Sequence, residues 1–284
     1  MQNVTRLQKV VRRWGRRRAL RVAVGLVFDK LSSTFRRDAQ ENALYVQLEQ
    51  KGYTVTDAEF GVLVQDARVA LHCRRFNSDI AVFKQIFVDD EFGELFSRLR
   101  QRGVDVKHVI DAGGNIGASL VRFKQEFPDA RIISIEPDSK NFEVMTRNAT
   151  LNAVNAALLC KGLWRDSRRL YFDRSFRDGG DWSIALSEEV ISDNYVDSVS
   201  MADIVKDFAL PSIDLLKIDI EGAERVIFDG SGEGLEFLEI TKSVAIEIHD
   251  EVGVRDVILD ALSHHGFDVG TSGEYVIALK RNLS

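Results

Sequence analysis

The chain has 284 residues, of which 45% are hydrophobic and 29% are charged, and it contains only three prolines. This composition excludes a disordered chain, and the length suits one large α/β domain with an accessory region. Residues 1–40 contain eleven Lys/Arg and two Asp and therefore carry a charge of +9. Because the whole chain has a net charge of −6, the remaining residues carry −15. A nucleic-acid substrate is therefore not expected for the acidic part. Cys73 and Cys160 fall in apparent strands without metal-ligand spacing, which indicates reduced core thiols.

The first element in the chain is a basic amphipathic segment, residues 1–40. Within it, arginines and apolar residues of 6–35 recur at near-helical spacing. Such a helix either packs its apolar stripe on the protein or lies on an anionic membrane surface. A secretory signal is disfavoured because Asp29 and Lys30 close the short uncharged run, and no run reaches transmembrane length. We therefore predict a cytoplasmic protein, with peripheral contact at the inner face of the membrane as the alternative left open.

Residues 41–105 are predicted to form an accessory region. Residues 53–74 alternate apolar with other residues, which is typical of a hairpin. Residues 79–100 have helical spacing of apolar residues with a break near Asp89. This region precedes the core and is long enough to cap a ligand cleft, so we expect a hairpin-and-helix cap.

A glycine-rich turn follows the first strand of the predicted core, residues 106–284. The stretch Val109–Gly117 predicts a buried strand that turns into a helix. The turn contains three glycines, Gly113, Gly114 and Gly117. They allow close backbone approach, and the helix start offers free N–H groups to an anionic group. Asp111 at the same turn would repel a pyrophosphate and attract an ammonium or sulfonium cation. Ala112 also replaces the first glycine of the dinucleotide pattern.

A second strand, residues 131–136, ends in Glu136 at about the spacing at which such folds bind a ribose diol. An amino-acid end near Asp111 and a ribose near Glu136 together describe S-adenosylmethionine. The alternatives are another Rossmann-like domain, such as a nucleotide-dependent oxidoreductase, and a non-catalytic binding module recruited to a membrane by the basic helix. Asp111 and Ala112 count against the oxidoreductase.

The later core alternates helices and strands, which is typical of a mostly parallel sheet. A third strand at 157–160 leads to Trp164, which would either contact an adenine or pack as a core aromatic. Short strands at 169–175 and 195–201 flank a polar loop, Arg177–Ser187, that is a candidate substrate loop. The loop contains Asp181, Trp182 and Ser183. A helix and two strands close the chain.

Two further strands, 214–220 and 243–248, have charged residues at alternate positions. Strand alternation places Lys217, Asp219 and Glu221 on one face of the first strand. Glu247 and His249 share a face of the second. If the strands are neighbours, these groups converge at the carboxyl edge of the sheet, where open α/β sheets bind ligands. They would form a structural network, a site that deprotonates a substrate hydroxyl, or a site for a hard cation such as Mg²⁺ or Ca²⁺.

Five strings of the sequence resemble the FkbM family of S-adenosylmethionine-dependent methyltransferases. They are Asp79–Phe87, Val109–Gly117, Ile135–Pro137, Leu215–Glu224 and Glu247–His249. The resemblance covers about residues 79–280, and the string Lys-Ile-Asp-Ile-Glu-Gly-Ala-Glu is its most specific part. It implies a class I methyltransferase fold, an α/β Rossmann-like sheet in the order 3-2-1-4-5-7-6 with the last strand antiparallel. It also implies methyl transfer to an oxygen, less often a nitrogen, of a sugar, glycolipid, polyketide or other small metabolite.

The resemblance also implies site residues. The turn would bind the methionine end through Asp111, Gly113, Asn115 and Gly117, and Glu136 would bind the ribose. Gly114, in the same turn, is a further candidate for cofactor binding. The family often has alanine at the position of Gly114, and Trp164 would alter the adenine pocket.

For the reaction we predict in-line attack by a hydroxyl, which requires a base. His249 is the first choice because its ordinary pKa lies near neutrality, and Asp219 and Glu221 are next.

Overall fold

The computed structural model describes residues 33–173, 185–191, 193–229, 234–249 and 253–282. These residues form two compact units that divide between Asp89 and Asp90. Most of the basic segment 6–35, and the predicted loop residues Asp181, Trp182 and Ser183, lie outside the described residues. Among the helices that the structure describes, none combines the length and the apolar content that a membrane crossing needs.

The first unit contains two helices and a small antiparallel sheet. Its elements are α1 (Ser33–Gln50), β1 (Thr54–Ala58), β2 (Gly61–Gln65), β3 (Ala70–Cys73) and α2 (Asp79–Phe87). The predicted hairpin is therefore a three-stranded meander in the order β1-β2-β3. Asp79 is fully buried at the start of α2, where its carboxylate accepts hydrogen bonds from the Arg74 backbone N–H and guanidinium at 2.7–2.9 Å.

The second unit contains the predicted α/β core. Its elements are α3 (Gly93–Gln101), β4 (His108–Ala112), α4 (Ala118–Glu126), β5 (Arg131–Ile135), α5 (Ser139–Leu151), β6 (Ala157–Leu159), β7 (Gly162–Leu163), β8 (Arg169–Asp173), β9 (Ala185–Ser187), β10 (Tyr195–Val199), α6 (Met201–Asp207), β11 (Leu215–Ile218), α7 (Glu224–Ile227), a 3-10 turn (Glu236–Leu238), β12 (Ser243–Glu247), α8 (Arg255–His264), β13 (Phe267–Ser272) and β14 (Tyr275–Lys280).

The main sheet has seven strands in the order β13-β14-β12-β11-β4-β5-β6. Only β14 runs antiparallel to its neighbours. When these seven strands alone are numbered along the chain, the order is the expected 3-2-1-4-5-7-6. A second, four-stranded sheet, β7-β10-β8-β9, is inserted between β6 and β11. The predicted α/β fold class is therefore confirmed.

The two faces of the main sheet differ in polarity. One face is apolar and packs residues such as Ile110, Leu216 and Ile246 in one cluster with Ile204 and Ile258 of the covering helices. On the other face Asp111 lies beside Ser119 of α4, and Ser134 lies beside Met145 of α5. Because side chains alternate along a strand, one face of the sheet builds the core while the other positions polar groups.

Three sequence expectations differ from the structure. The predicted break near Asp89 does divide the stretch 79–100 into two helices, but the second helix, Gly93–Gln101, belongs to the second unit rather than to the accessory region. Cys160 is exposed rather than in the core, because β6 ends at Leu159. The end of the predicted loop, Ala185–Ser187, is a strand that pairs with β8.

Candidate functional site

The glycine-rich turn brings the ends of three strands together. Gly113 has φ +82°, and a Cβ atom at this position would lie 1.8 Å from the carbonyl oxygen of Asp219. The N–H groups of Gly113 and Gly114 both donate to the Ile135 carbonyl at 2.9 Å. Only glycine allows the backbones after β4 and β11 to approach this closely. The ends of β4, β5 and β11 thus meet at one edge of the sheet.

A cavity of about 660 Å³, counted to its open mouth, lies at this edge. Its polar lining includes Asn115, Glu136, Asn141, Asp219 and Glu221. Its apolar lining includes Ile135, Leu163, Phe172, Leu186 and Ile220. The cavity can therefore hold a ligand that is apolar at one side and polar at its ends.

Glu136 is the buried carboxylate of the cavity. It accepts hydrogen bonds from the backbone N–H of Asn115 at 2.8 Å and of Asp138 at 2.9 Å, and from the Asn141 amide at 3.4 Å. Burial raises the pKa of Glu136 to about 7, although these hydrogen bonds oppose the shift. Glu136 therefore links the glycine-rich turn to the start of α5 and is available as an acceptor for hydroxyl groups.

Two non-glycine residues of the cavity have left-handed backbone conformations. Asn115 has φ +47° and Glu221 has φ +52°. Such conformations cost about 1–3 kcal/mol each and cluster at functional sites. Both line the cavity, Asn115 after β4 and Glu221 after β11.

Asp111 lies beneath the turn rather than in the cavity. It is fully buried, and its carboxylate accepts hydrogen bonds from the hydroxyls of Ser119 and Ser134 at 2.9 Å each. The cation beside it is Lys217, whose Nζ lies 3.6 Å from Oδ1. Gly114 is likewise a packing position, because a Cβ atom there would lie 2.3 Å from the Ser134 hydroxyl. Gly117, at the start of α4, faces Met145.

Lys217 connects the turn to the residues after β11. Its ammonium group donates to the carbonyls of Gly113 at 2.7 Å and Ala112 at 3.3 Å. It also lies 3.4 Å from Oδ2 of Asp219. Burial alone would lower the pKa of Lys217, but the charges of Asp219 and Asp111 outweigh it and hold the pKa above its usual value. Lys217 therefore remains a cation at the base of the site.

His249 belongs to a second layer behind the cavity. It is 2% exposed, and its Nδ1 lies 3.0 Å from Oε1 of Glu224. Its Nε2 lies 3.5 Å from Oε2 of Glu221 and 3.7 Å from Oε1 of Glu247. Burial would lower the pKa of His249, but the hydrogen bond to Glu224 and the carboxylate charges raise it to about 9. The carboxylates around the ring thus favour its protonated form.

Two residues of this polar group, Glu224 and Tyr275, were not predicted, and two others, Lys217 and Glu247, were predicted to converge here without an assigned catalytic role. The pKa of Glu247 is raised to about 8 by burial and by Asp219. The Tyr275 hydroxyl donates to Oδ2 of Asp219 at 3.4 Å, because β14 places Tyr275 opposite Glu247. Strand alternation indicated Lys217 and Glu247, but the register of an antiparallel strand could not be obtained from the sequence.

Trp164 lies away from the cavity. It is 3% exposed, packs in a cluster with Leu170 and Phe172, and donates from Nε1 to Glu188 at 3.1 Å. It lines a second cavity on the other side of this cluster. The preceding residue, Leu163, lines the main cavity instead, since neighbouring residues of a strand point to opposite faces. The structure does not bring Trp164 to the predicted adenine position.

Comparison with known proteins gives the family. Residues 111–269 match the model of the Methyltransferase FkbM domain, which covers more than half of the chain. The chain belongs to the FkbM methyltransferase family. As an FkbM methyltransferase it is a transferase enzyme with the Rossmann-like fold described above. The matched region begins at Asp111 and includes the cavity, Lys217 and His249.

Relatives of this FkbM methyltransferase are distant. It is 26% identical over 198 residues to methyltransferase sdnD of Sordaria araneosa, covering 57% of this chain and 73% of that protein. It is 25% identical over 217 residues to the 31-O-demethyl-FK506 methyltransferase FkbM of Streptomyces tacrolimicus, covering 66% and 81%. The crystal structure of methyltransferase FkbM from Methylobacillus flagellatus aligns with 17% identity and a TM-score of 0.44, covering 84% of this chain and 59% of that one.

Proposed function

We propose that this chain transfers a methyl group from S-adenosylmethionine to a hydroxyl oxygen of a sugar, glycolipid or other small metabolite. The observation that carries the proposal is one cavity lined by Gly113 and Asn115 of the glycine-rich turn, by Glu136, and by the carboxylate residues Asp219 and Glu221. The oxygen acceptor is supported by a relative that, by its name, is a methyltransferase of an O-demethyl compound.

The residues at the turn fit S-adenosylmethionine. Glu136 would accept hydrogen bonds from the ribose hydroxyls, and the backbone beside Gly113 and Asn115 would bind the methionine end. Leu163 and Phe172 would cover the apolar faces of the adenine. Asp111 would act indirectly, since it is buried under the turn that it supports. When bound, S-adenosylmethionine supplies a methyl carbon on a positively charged sulfur, and the C–S bond breaks as the C–O bond forms.

The acceptor hydroxyl belongs at the end of the cavity formed by Asp219 and Glu221, because both residues line it. Glu221 would receive the hydroxyl proton. Asp219, which pairs with Lys217 and Tyr275, would orient the acceptor. His249 contacts Glu221 from behind, so its effect on the reaction is exerted through that carboxylate.

Two substitutions separate the donor end from the acceptor end. Titration calorimetry of the full chain with S-adenosylhomocysteine should show binding to the wild type, while NAD should not bind. Glu136→Gln should weaken this binding by more than about tenfold, because a charged acceptor is lost. Glu221→Gln should change it less than about threefold while reducing methyl transfer, measured with labelled donor on a hydroxyl acceptor, by about 10²-fold or more.

Glu143→Gln is the matched control, since Glu143 lies on the exposed side of α5 in an ion pair with Arg147. It should leave both binding and transfer unchanged. Absence of S-adenosylhomocysteine binding to the wild type would contradict the donor assignment. Equal loss of binding in Glu136→Gln and Glu221→Gln would contradict the division between the two ends.

A further inference from the structure

The carboxyl ends of β11 and β12 bring several acidic groups close together. Four carboxylates lie there, Asp219, Glu221, Glu224 and Glu247, and Lys217 and His249 are among the basic side chains that pair with them. Charges that are withdrawn from water need counter-charges to be stable. A cation bound among these carboxylates would supply such a counter-charge.

Three of these residues converge on one point. An oxygen of Asp219, an oxygen of Glu247 and a ring nitrogen of His249 all lie within 4.8 Å of one another. The side chains of Asp219 and Glu247 are 28% and 25% exposed, so an ion can reach them from solvent. Both contacts of Asp219, with Lys217 and with the Tyr275 hydroxyl, use Oδ2, which leaves the other oxygen for a ligand.

The orientation of His249 is an independent observation. The ring is nearly completely buried and held from behind, where Nδ1 donates to the Glu224 carboxylate. Glu224 is itself fixed, since its Oε1 also accepts from the backbone N–H of Ile220 at 3.2 Å. The opposite nitrogen, Nε2, points to Glu221 and Glu247 at ion-pair distances but makes no hydrogen bond to any described residue. A carboxylate behind a histidine, with the second nitrogen directed at other ligands, is the arrangement of metal-binding histidines.

We infer that Asp219, Glu247 and His249 bind one divalent cation beside the cavity, whose wall includes Asp219. Two carboxylate oxygens with one imidazole suit a small cation such as Mn²⁺ or Mg²⁺, with water or substrate completing the coordination. Binding would displace the proton from Nε2. Because Lys217 contacts the same carboxylate of Asp219, the affinity should be moderate.

This inference deepens the proposed function. The cation would hold the oxygen of the acceptor hydroxyl beside Glu221 and lower the cost of its deprotonation. The hydroxyl proton would then pass to the Glu221 carboxylate as the oxygen forms its bond to the methyl carbon. Binding of the metal alone does not depend on methyl transfer, so it can be tested separately.

The test is titration of the chelator-treated full chain with Mn²⁺. Binding is measured as the decrease in the electron paramagnetic resonance signal of the free ion. We expect one saturable site below about 1 mM. Glu247→Gln and His249→Gln should each weaken it by more than tenfold. Glu239→Gln, the same change at an exposed residue that pairs with His265, should have no effect.

The wild-type measurement alone can overturn the inference, since it needs no variant to fold: absence of saturable binding is sufficient. Binding that survives both Glu247→Gln and His249→Gln in folded protein would also overturn it, because the ion would then be elsewhere. Titration with S-adenosylhomocysteine in the presence of chelator distinguishes failure of the cation site from failure of the proposed function. If S-adenosylhomocysteine binds and Mn²⁺ does not, the methyltransferase assignment stands and the cation site is wrong.

Discussion

The two ends of the cavity are built in different ways. At the turn after β4 and β5, backbone N–H groups and one carboxylate, Glu136, provide the polar contacts. At the ends of β11 and β12, four carboxylates surround Lys217 and His249. In the proposed function, the first end would recognise its ligand through the shape of the backbone, whereas the charged groups of the second would move a proton or hold a cation. Donor binding should therefore be sensitive to backbone changes, and the reaction to changes of charge.

The largest effect is expected from Lys217→Met, because Lys217 is shared by both ends. The substitution removes the cation beside the fully buried Asp111 and the donor to the Gly113 carbonyl. Loss of one partner of a buried pair costs about 3–5 kcal/mol. Urea unfolding should show this loss, and binding of S-adenosylhomocysteine should weaken with it.

Lys242→Met is the matched control. Lys242 also pairs with a buried carboxylate, Asp214, at 2.8 Å, but its side chain is 33% exposed. Asp214 keeps hydrogen bonds from the N–H groups of Lys107 and His108 at 2.8 Å when Lys242 is replaced. The loss of stability should therefore be clearly smaller. Equal losses in the two variants would mean that Lys217 has no special part in joining the two ends.

The next effect concerns the turn alone and compares two glycines. Gly113→Ala introduces a left-handed alanine whose Cβ would overlap the Asp219 carbonyl. Gly103→Ala introduces a left-handed alanine at φ +66° with nothing within 4 Å of the Cβ. The second variant has only the backbone strain, so Gly113→Ala should lose at least about 2 kcal/mol more in urea unfolding. Only Gly113→Ala should weaken S-adenosylhomocysteine binding. A similar weakening by Gly103→Ala would disprove a specific role for the close approach of the Gly113 backbone to the Asp219 carbonyl.

The donor end was more predictable from the sequence than the acceptor end. The Gly113 turn was predicted from a strand followed by glycines, and Glu136 from a strand that ends in an acid. Both are local patterns, and both residues line the cavity in the structure. The burial of Asp111 could not be predicted, because it depends on Ser134 from the neighbouring strand. The position of Trp164 depends on β7, which has only two residues and too short a pattern to show which side chain faces the ligand.

At the acceptor end, the contacts depend on residues far apart in the chain. Asp219, Glu221 and His249 do converge, as expected for neighbouring strands, but all three lie beyond the ends of β11 and β12, where strand alternation no longer applies. Strand alternation could not show that Glu224 lies behind His249 or that Tyr275 reaches Asp219 from an antiparallel strand. Strand alternation also could not show that His249 lies behind Glu221. The position of Glu221 in front of His249 is set by the turn at Glu221 and Gly222, where both residues have positive φ.

The smallest effect is a pH dependence that belongs to the donor end. The pKa of Glu136 is raised to about 7 by burial, and its carboxylate must be ionised to accept two ribose hydroxyls. Affinity for S-adenosylhomocysteine should therefore rise about tenfold between pH 6 and pH 8. Glu136→Gln should bind more weakly and lose most of this pH dependence, and a wild-type affinity that is flat over this range would contradict the role of Glu136.

The same group should affect stability in the opposite direction. Because the pKa of Glu136 in the folded chain lies above its ordinary value of 4.5, the folded state holds the proton more tightly than the unfolded state. The resulting stabilisation is complete below about pH 4.5 and is lost as the pH rises through about 7, an effect on the order of 3 kcal/mol. In urea unfolding across this pH range, the free energy of unfolding of the wild type should fall with rising pH. That of Glu136→Gln should lack this fall. Opposite slopes for binding and stability, both removed by one substitution, would assign them to Glu136 and not to the carboxylates after β11 and β12.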